Sequence, residues 1–295
     1  MKSKIGTWFL ATRPWSFTMS IIAVTIGAAW AVDQGFSLAL FLATVFGMVC
    51  LHGATNLLND YFDVKNQVDT PEAPTANYRP HPLMNQDLKL NQVLAVALVL
   101  YALGAATGLW LTAIAGWPIL AIGIAGVAVS AAYTAPPLAL KYRAMGEPAV
   151  FLMWGPLAIS GAYYVQAGHF SEGLILVSIP FGALVALVLL ANNLRDADFD
   201  QRQGILTLAV AAGGRKGRGI FAGLMAGAFL AVFAMSFLGP LSAWSLLVLL
   251  ALPLAVPMFR MVSGKIPDDA DARTAKLDTV FGVLLIASIL LERLV

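Results

Sequence analysis

Charge is scarce in this chain. Only 12% of its 295 residues are charged, and the formal net charge is +2. That balance gives a nucleic-acid partner no support. Cysteine is scarcer still: Cys50 stands alone in an apolar run, so no internal disulfide is possible. It reads as a small buried residue. With three His and one Cys, the spacings of a zinc site are absent as well. What the chain has instead is apolar length. Hydrophobic residues make up 59% of it, and the mean hydropathy is +0.80. A water-soluble domain of this size needs far less apolar surface, so the class is polytopic membrane protein. A bilayer admits helices or a closed barrel, and the apolar runs lack the strict alternation of barrel strands.

The expected fold is therefore all-α. Nine spans are expected, near 15–32, 38–59, 92–112, 118–133, 149–166, 173–194, 219–237, 243–258 and 277–294. Each is near the length that crosses the hydrocarbon core, with 118–133 short. Pro156, Pro180 and Pro253 fall inside spans and predict kinks. Residues 1–13 carry Lys2, Lys4 and Arg13 before the first run, which is too long for a signal peptide and reads as an uncleaved span. With the N-terminus inside, only Arg293 of the 18 Lys and Arg residues falls outside. This asymmetry orients the chain in a cytoplasmic membrane, C-terminus outside. The second and sixth spans end alike, and the fourth and eighth are each followed by basic residues. The pattern suggests two four-helix halves and a ninth helix in one domain, around a cavity open to the cytoplasm. Two polar loops, about 61–91 and 195–218, would cap it.

Two acidic clusters close the second and sixth spans. In the first, Asn56, Asp60 and Asp63 are spaced i, i+4, i+7 and share a helix face, with Asn59 between them and Asp69 just beyond. In the second, Asn192, Asp196 and Asp200 repeat the pattern at i, i+4, i+8, beside Asn193 and Arg195. Asp198 falls off that face and reads as solvated. Carboxylates at the mouth of a membrane helix are costly unless a cation neutralises them. Clusters of Asp without His or Cys suit Mg²⁺, which binds through one or two carboxylates plus phosphate. A diphosphate bridging ions held by each cluster is the natural third party. Basic groups near it would be Arg79, Lys141, Arg143 and Arg195; Tyr133, at the end of the fourth span, would line the site. His52, one turn before Asn56, reads as a helix-packing group. A diphosphate in a membrane cavity suggests a polyprenyl diphosphate, whose tail belongs in lipid. A cation-coupled transporter is the reading from another class, and the one-sided placement of charge argues against it.

These strings resemble the UbiA-type intramembrane prenyltransferases over nearly the whole chain. Asn59-Asp60-x-x-Asp63 resembles the first Asp-rich motif of that family, and Asp196-x3-Asp200 the second. The branch that prenylates 1,4-dihydroxy-2-naphthoate in menaquinone synthesis is the most similar. The strings that carry this are Val68-Asp69-Thr70, Lys141 to Glu147, Gly155 to Ala158, Gly161 to Tyr164 and Gly204 to Leu208. The resemblance implies a Mg²⁺-dependent enzyme with two ions at Asp60, Asp63, Asp69, Asp196 and Asp200. It implies Asn56, Asn59, Asn192 and Asn193 as supporting polar groups. It implies basic loop residues on the diphosphate, and loss of carbon dioxide from the acceptor. Gln67 and Ile205 depart from the branch, which leaves 4-hydroxybenzoate or a related naphthoate open as the acceptor.

Overall fold

The computed structural model describes residues 4–68 and 81–294, without the side chains of 261–263. Within these residues the fold is helical, and the extended backbone is a lone bridge between Arg143 and Leu206. The helices are α1 (Lys4–Ala11), α2 (Phe17–Trp30), α3 (Leu38–Lys65), α4 (Leu90–Ala115) and α5 (Trp117–Thr134). Next come α6 (Gly146–Leu152), a π turn (Met153–Leu157), α7 (Ala158–Ala167), α8 (Glu172–Arg202), α9 (Leu208–Ala212) and α10 (Gly214–Leu238). A 3₁₀ segment (Ala243–Ala251) leads into α11 (Leu252–Ser263), and α12 (Ala270–Leu294) closes the chain. Among the described residues eight helices are long and apolar enough to cross a membrane, and a ninth span results if α1 and α2, bent by 43°, count as one. The chain is a multi-pass membrane protein.

Local signals account for several boundaries. Ser37 caps α3 by accepting from Leu40 N, and Ser171 caps α8 by accepting from Leu174 N. Gly168 ends α7 with φ at +75°, a conformation open to glycine. Pro156 lacks an N–H, and the helix passes it by widening into the π turn. Pro180 and Pro253 are accommodated without interrupting their helices. Pro180 sits inside α8, which runs unbroken from Glu172 to Arg202. Pro253 occupies the first turn of α11, where no N–H is needed, so the break there is the change from 3₁₀ to α.

α8 is the axis of the bundle and the most buried of the spans. α6, α10 and α12 pack on it, while α2 packs on α7 and α12, and α3 on α4. Phe181, Leu184 and Leu187 of α8 meet Trp30, Phe229 and Phe281 in the core. Glycines set the closest approaches. A Cβ on Gly182 would stand 2.8 Å from Gly155 Cα, and one on Gly27 would stand 2.3 Å from the Ile159 carbonyl oxygen. Such contacts let membrane helices pack by van der Waals fit. Outward faces stay apolar, with Leu109, Trp117 and Ile124 exposed as lipid-facing groups would be.

The two ends of the bundle differ. One gathers Arg13, the end of α3, the end of α8 and the start of α12. The other is laced by polar contacts. Arg293 reaches Asp33 at 2.7 Å and lies over the Trp30 ring. Trp30 Nε1 donates to Ser171, the Gln166 side chain bonds both backbone groups of Ser37, and Ser242 N donates to Glu292.

Candidate active site

A cavity of about 600 Å³ lies between α2, α3, α5, α6–α7 and α8. Its inner walls are apolar, built from residues such as Met19, Met48, Ile122, Val129 and Val185. Its mouth, at the acidic end, is polar. There Asp63, Asp196, Asp200 and Asp271 face Arg13 and Lys141.

α3 supplies one wall because it runs past the apolar span to Lys65 without a break. Asn56, Asn59 and Asp63 line the cavity at i, i+3, i+7. Asp60 does not. It is buried on the neighbouring face, ion-paired with Arg13. The face expected from sequence is therefore rotated by one residue: Asn59 replaces Asp60 beside Asp63. Asn56 donates to the Thr12 carbonyl at 3.0 Å and to Ser16 Oγ at 3.1 Å, tying α3 to the α1–α2 bend.

Asp63 is 1% exposed and densely held. It accepts from Lys141 Nζ at 2.6 Å, from Asn59 Nδ2 at 2.9 Å and from the Tyr142 hydroxyl. Lys141 also donates to Asn59 Oδ1 at 3.3 Å. The turn that delivers Lys141 and Tyr142 is bracketed by two non-glycine residues with positive φ, Ala139 at 43° and Ala144 at 55°. Left-handed backbone costs an L-residue about 1–2 kcal/mol. Strain of this kind is tolerated where it aims a functional side chain.

α8 supplies the facing wall with Asn192, Asn193, Asp196 and Asp200. Arg195 is turned away from the cavity and is almost wholly buried. It grips Asp196 through two bonds of 2.7 and 2.8 Å, Asn192 Oδ1 at 2.6 Å and Asp271 at 3.2 Å. Arg195 thus orients the acids from behind and does not line the cavity. The Asp200 side chain makes no hydrogen bond to a described residue, while the charges of Asp196, Lys141, Asp63 and Arg195 reach it. Asp198 is exposed, as expected.

Tyr133 lines the cavity. Arg143 does not: it is exposed, and its guanidinium donates to the Pro137 carbonyl at 2.9 Å. The bridge to Leu206 fixes its backbone and points the side chain elsewhere. Asp69 and Arg79 lie outside the described residues. His52 is a packing group on the wall, with Nδ1 2.8 Å from Ser20 Oγ and Nε2 3.1 Å from Ser16 Oγ. Trp154 Nε1 donates to the same Ser20.

Sequence reading missed Arg13, Tyr142 and Asp271 as members of the site. Arg13 and Asp271 look like ordinary charges beside a span, and only tertiary packing brings them to the mouth. Tyr142 had a usable signal, its place next to Lys141.

Among the described residues no three His, Cys, Asp or Glu side chains gather closely enough to cage a metal by themselves. The donors at the mouth are all oxygens, and acids outnumber cations there. That set suits a hard cation that keeps its waters and takes phosphate oxygens as further ligands.

Comparison with known proteins extends this. The model of the UbiA prenyltransferase family matches residues 20–285. The chain is 30% identical over 286 residues to the 1,4-dihydroxy-2-naphthoate octaprenyltransferase of Bacillus subtilis, covering 95% of this chain and 91% of that protein. It is 31% identical over 296 residues to UbiA prenyltransferase domain-containing protein 1 of Xenopus tropicalis, covering 98% and 83%. Among solved structures, a UbiA homolog from Aeropyrum pernix K1 superposes with a TM-score of 0.68 at 17% identity, over 94% of this chain and 98% of that one. A UbiA homolog from Archaeoglobus fulgidus bound to DMAPP and Mg²⁺ gives 0.65 at 16% identity, over 96% and 99%.

Proposed function

The chain belongs to the UbiA prenyltransferase family, and we propose that it transfers a polyprenyl group from its diphosphate to 1,4-dihydroxy-2-naphthoate, with loss of carbon dioxide, on the way to menaquinone. One observation carries the reading. Acids from two separate helices, Asp63 of α3 and Asp196 and Asp200 of α8, face one cavity whose inner walls are mostly apolar. That arrangement matches a ligand with a highly charged head and a hydrocarbon tail.

The head group belongs at the mouth. Asp63, Asp196 and Asp200, with Asn59 and Asn192, would hold Mg²⁺, which supplies electrophilic pull on the departing diphosphate when bound. Lys141 adds a positive charge beside Asp63, placed to meet the charge that would build on the leaving oxygen. Arg195 keeps Asp196 in a fixed orientation, so little reorganisation is needed during reaction. The apolar walls shield the allylic cation from water. The acceptor ring is the nucleophile, so no side-chain nucleophile is required. The loops 61–91 and 195–218 would cap the site from the cytoplasm, with the protein in the cytoplasmic membrane and its N-terminus inside. This orientation follows the distribution of Lys and Arg.

The test is product analysis by mass spectrometry. Purified protein in lipid is given a prenyl diphosphate, Mg²⁺ and a panel of aromatic acids. The expected result is a prenylated naphthalenediol lighter by carbon dioxide, formed with release of diphosphate. Turnover of 4-hydroxybenzoate alone would overturn the acceptor, and absence of diphosphate release with every acid would overturn the reaction.

A further inference from the structure

Glu147 is an acid that the site described above does not use. It stands in the first turn of α6, 3% exposed, after Gly146. Its Oε1 accepts from Asn193 Nδ2 at 2.9 Å. Its Oε2 is shielded from solvent and finds no partner among the described residues. A carboxyl group buried with half its hydrogen-bonding capacity unused is costly, and such a group calls for a reason.

Asn193 lines the cavity and Glu147 does not. The amide nitrogen of Asn193 is the end turned toward Glu147, with a carboxyl oxygen as its acceptor. The amide oxygen is left on the cavity side, where it accepts no bond from a described side chain. Asn193, Asp196 and Asp200 fall at i, i+3, i+7, along one face of α8. An amide turned the other way would present N–H groups, which a cation repels.

We propose that Glu147 is a positioning residue: through Asn193 it turns an uncharged oxygen toward the cation-binding wall of Asp196 and Asp200. The proposal rests on the functional reading above, which puts a divalent cation there. Glu147 acts from behind its neighbour, as outer partners of metal ligands do.

Binding measures this without turnover. Mn²⁺ is titrated into the purified full-length protein in the presence of inorganic diphosphate, and free Mn²⁺ is followed by electron paramagnetic resonance. Loss of an outer partner weakens metal affinity about tenfold or more, so Glu147→Leu is expected to do so. Glu147→Gln keeps an acceptor for the same bond and should stay within about twofold of the native protein. Asn193→Ala should match Glu147→Leu, and the double variant should bind no worse than Asn193→Ala alone, because the two act through one contact. Native affinity in Glu147→Leu overturns the proposal, as does a double variant weakened by the product of the single effects. Should Glu147→Leu not fold, native affinity in Asn193→Ala overturns it equally. A native protein that binds no Mn²⁺ with diphosphate overturns the functional reading itself. Binding by the native protein with no change in the variants overturns only the role of Glu147.

Discussion

Lys141 Nζ lies 2.6 Å from Asp63 Oδ2, joining the turn after α5 to the last stretch of α3. Lys141 is therefore a cation that already occupies the position a metal ion would share. Lys141→Met removes the ion pair and, on the proposed function, a charge for the diphosphate. The expected outcome is a raised KM for the prenyl diphosphate and a fall in kcat/KM of about a hundredfold, the cost of one preorganised donor. Steady-state kinetics against donor concentration check this.

Asp196 and Asp200 are predicted to separate by stability. Both variants to Ala should lose turnover. Asp196→Ala also strips buried Arg195 of its bidentate partner, which should cost about 3 kcal/mol. Asp200 has no such partner among the described residues, so Asp200→Ala should stay within about 0.5 kcal/mol. Thermal unfolding in detergent distinguishes them, and an equal drop in both would contradict the geometry.

Arg13 and Asp60 should behave as one unit. Arg13 sits at the α1–α2 bend with φ at 55°, and Asp60 is its partner on α3. Arg13→Ala and Asp60→Ala are each expected to slow turnover, and the double variant to be little worse than either. A coupling of about 1–3 kcal/mol in the double-mutant cycle is the expected value. Additive losses would mean that Asp60 works apart from Arg13.

Gly123 faces the cavity, and a Cβ there meets no atom within 4 Å. Gly123→Phe should fill part of the apolar chamber and leave the mouth intact. The expected result is a preference shifted toward short prenyl donors, with kcat/KM for the long donor falling about tenfold more than for the short one. A uniform loss would show that the tail runs elsewhere.

The membrane class, the spans and the two acidic clusters were legible because each is a local property of the chain. Apolar length marks a span, and Asp at helical spacing marks a face. The rotation of that face was not legible. Asn56–Asp60–Asp63 and Asn56–Asn59–Asp63 are both sound helical faces, and the choice depends on Arg13, 47 residues upstream of Asp60. Arg195 and Arg143 read alike as basic residues near the site. One is buried against Asp196 and the other bonded to Pro137, a difference made by α12 and by the Leu206 bridge. Glu147 was visible as an acid at the edge of an apolar run, yet its partner Asn193 lies 46 residues downstream.

The lacing from Asp33 and Trp30 to Arg293 has a consequence for traffic. With its base stitched in this way, the vessel of the proposed reaction would meet water at the acidic end. Pyrophosphate spent there would depart by the route along which its parent arrived, before another head group could dock. Inorganic pyrophosphate would then compete with the donor for occupancy.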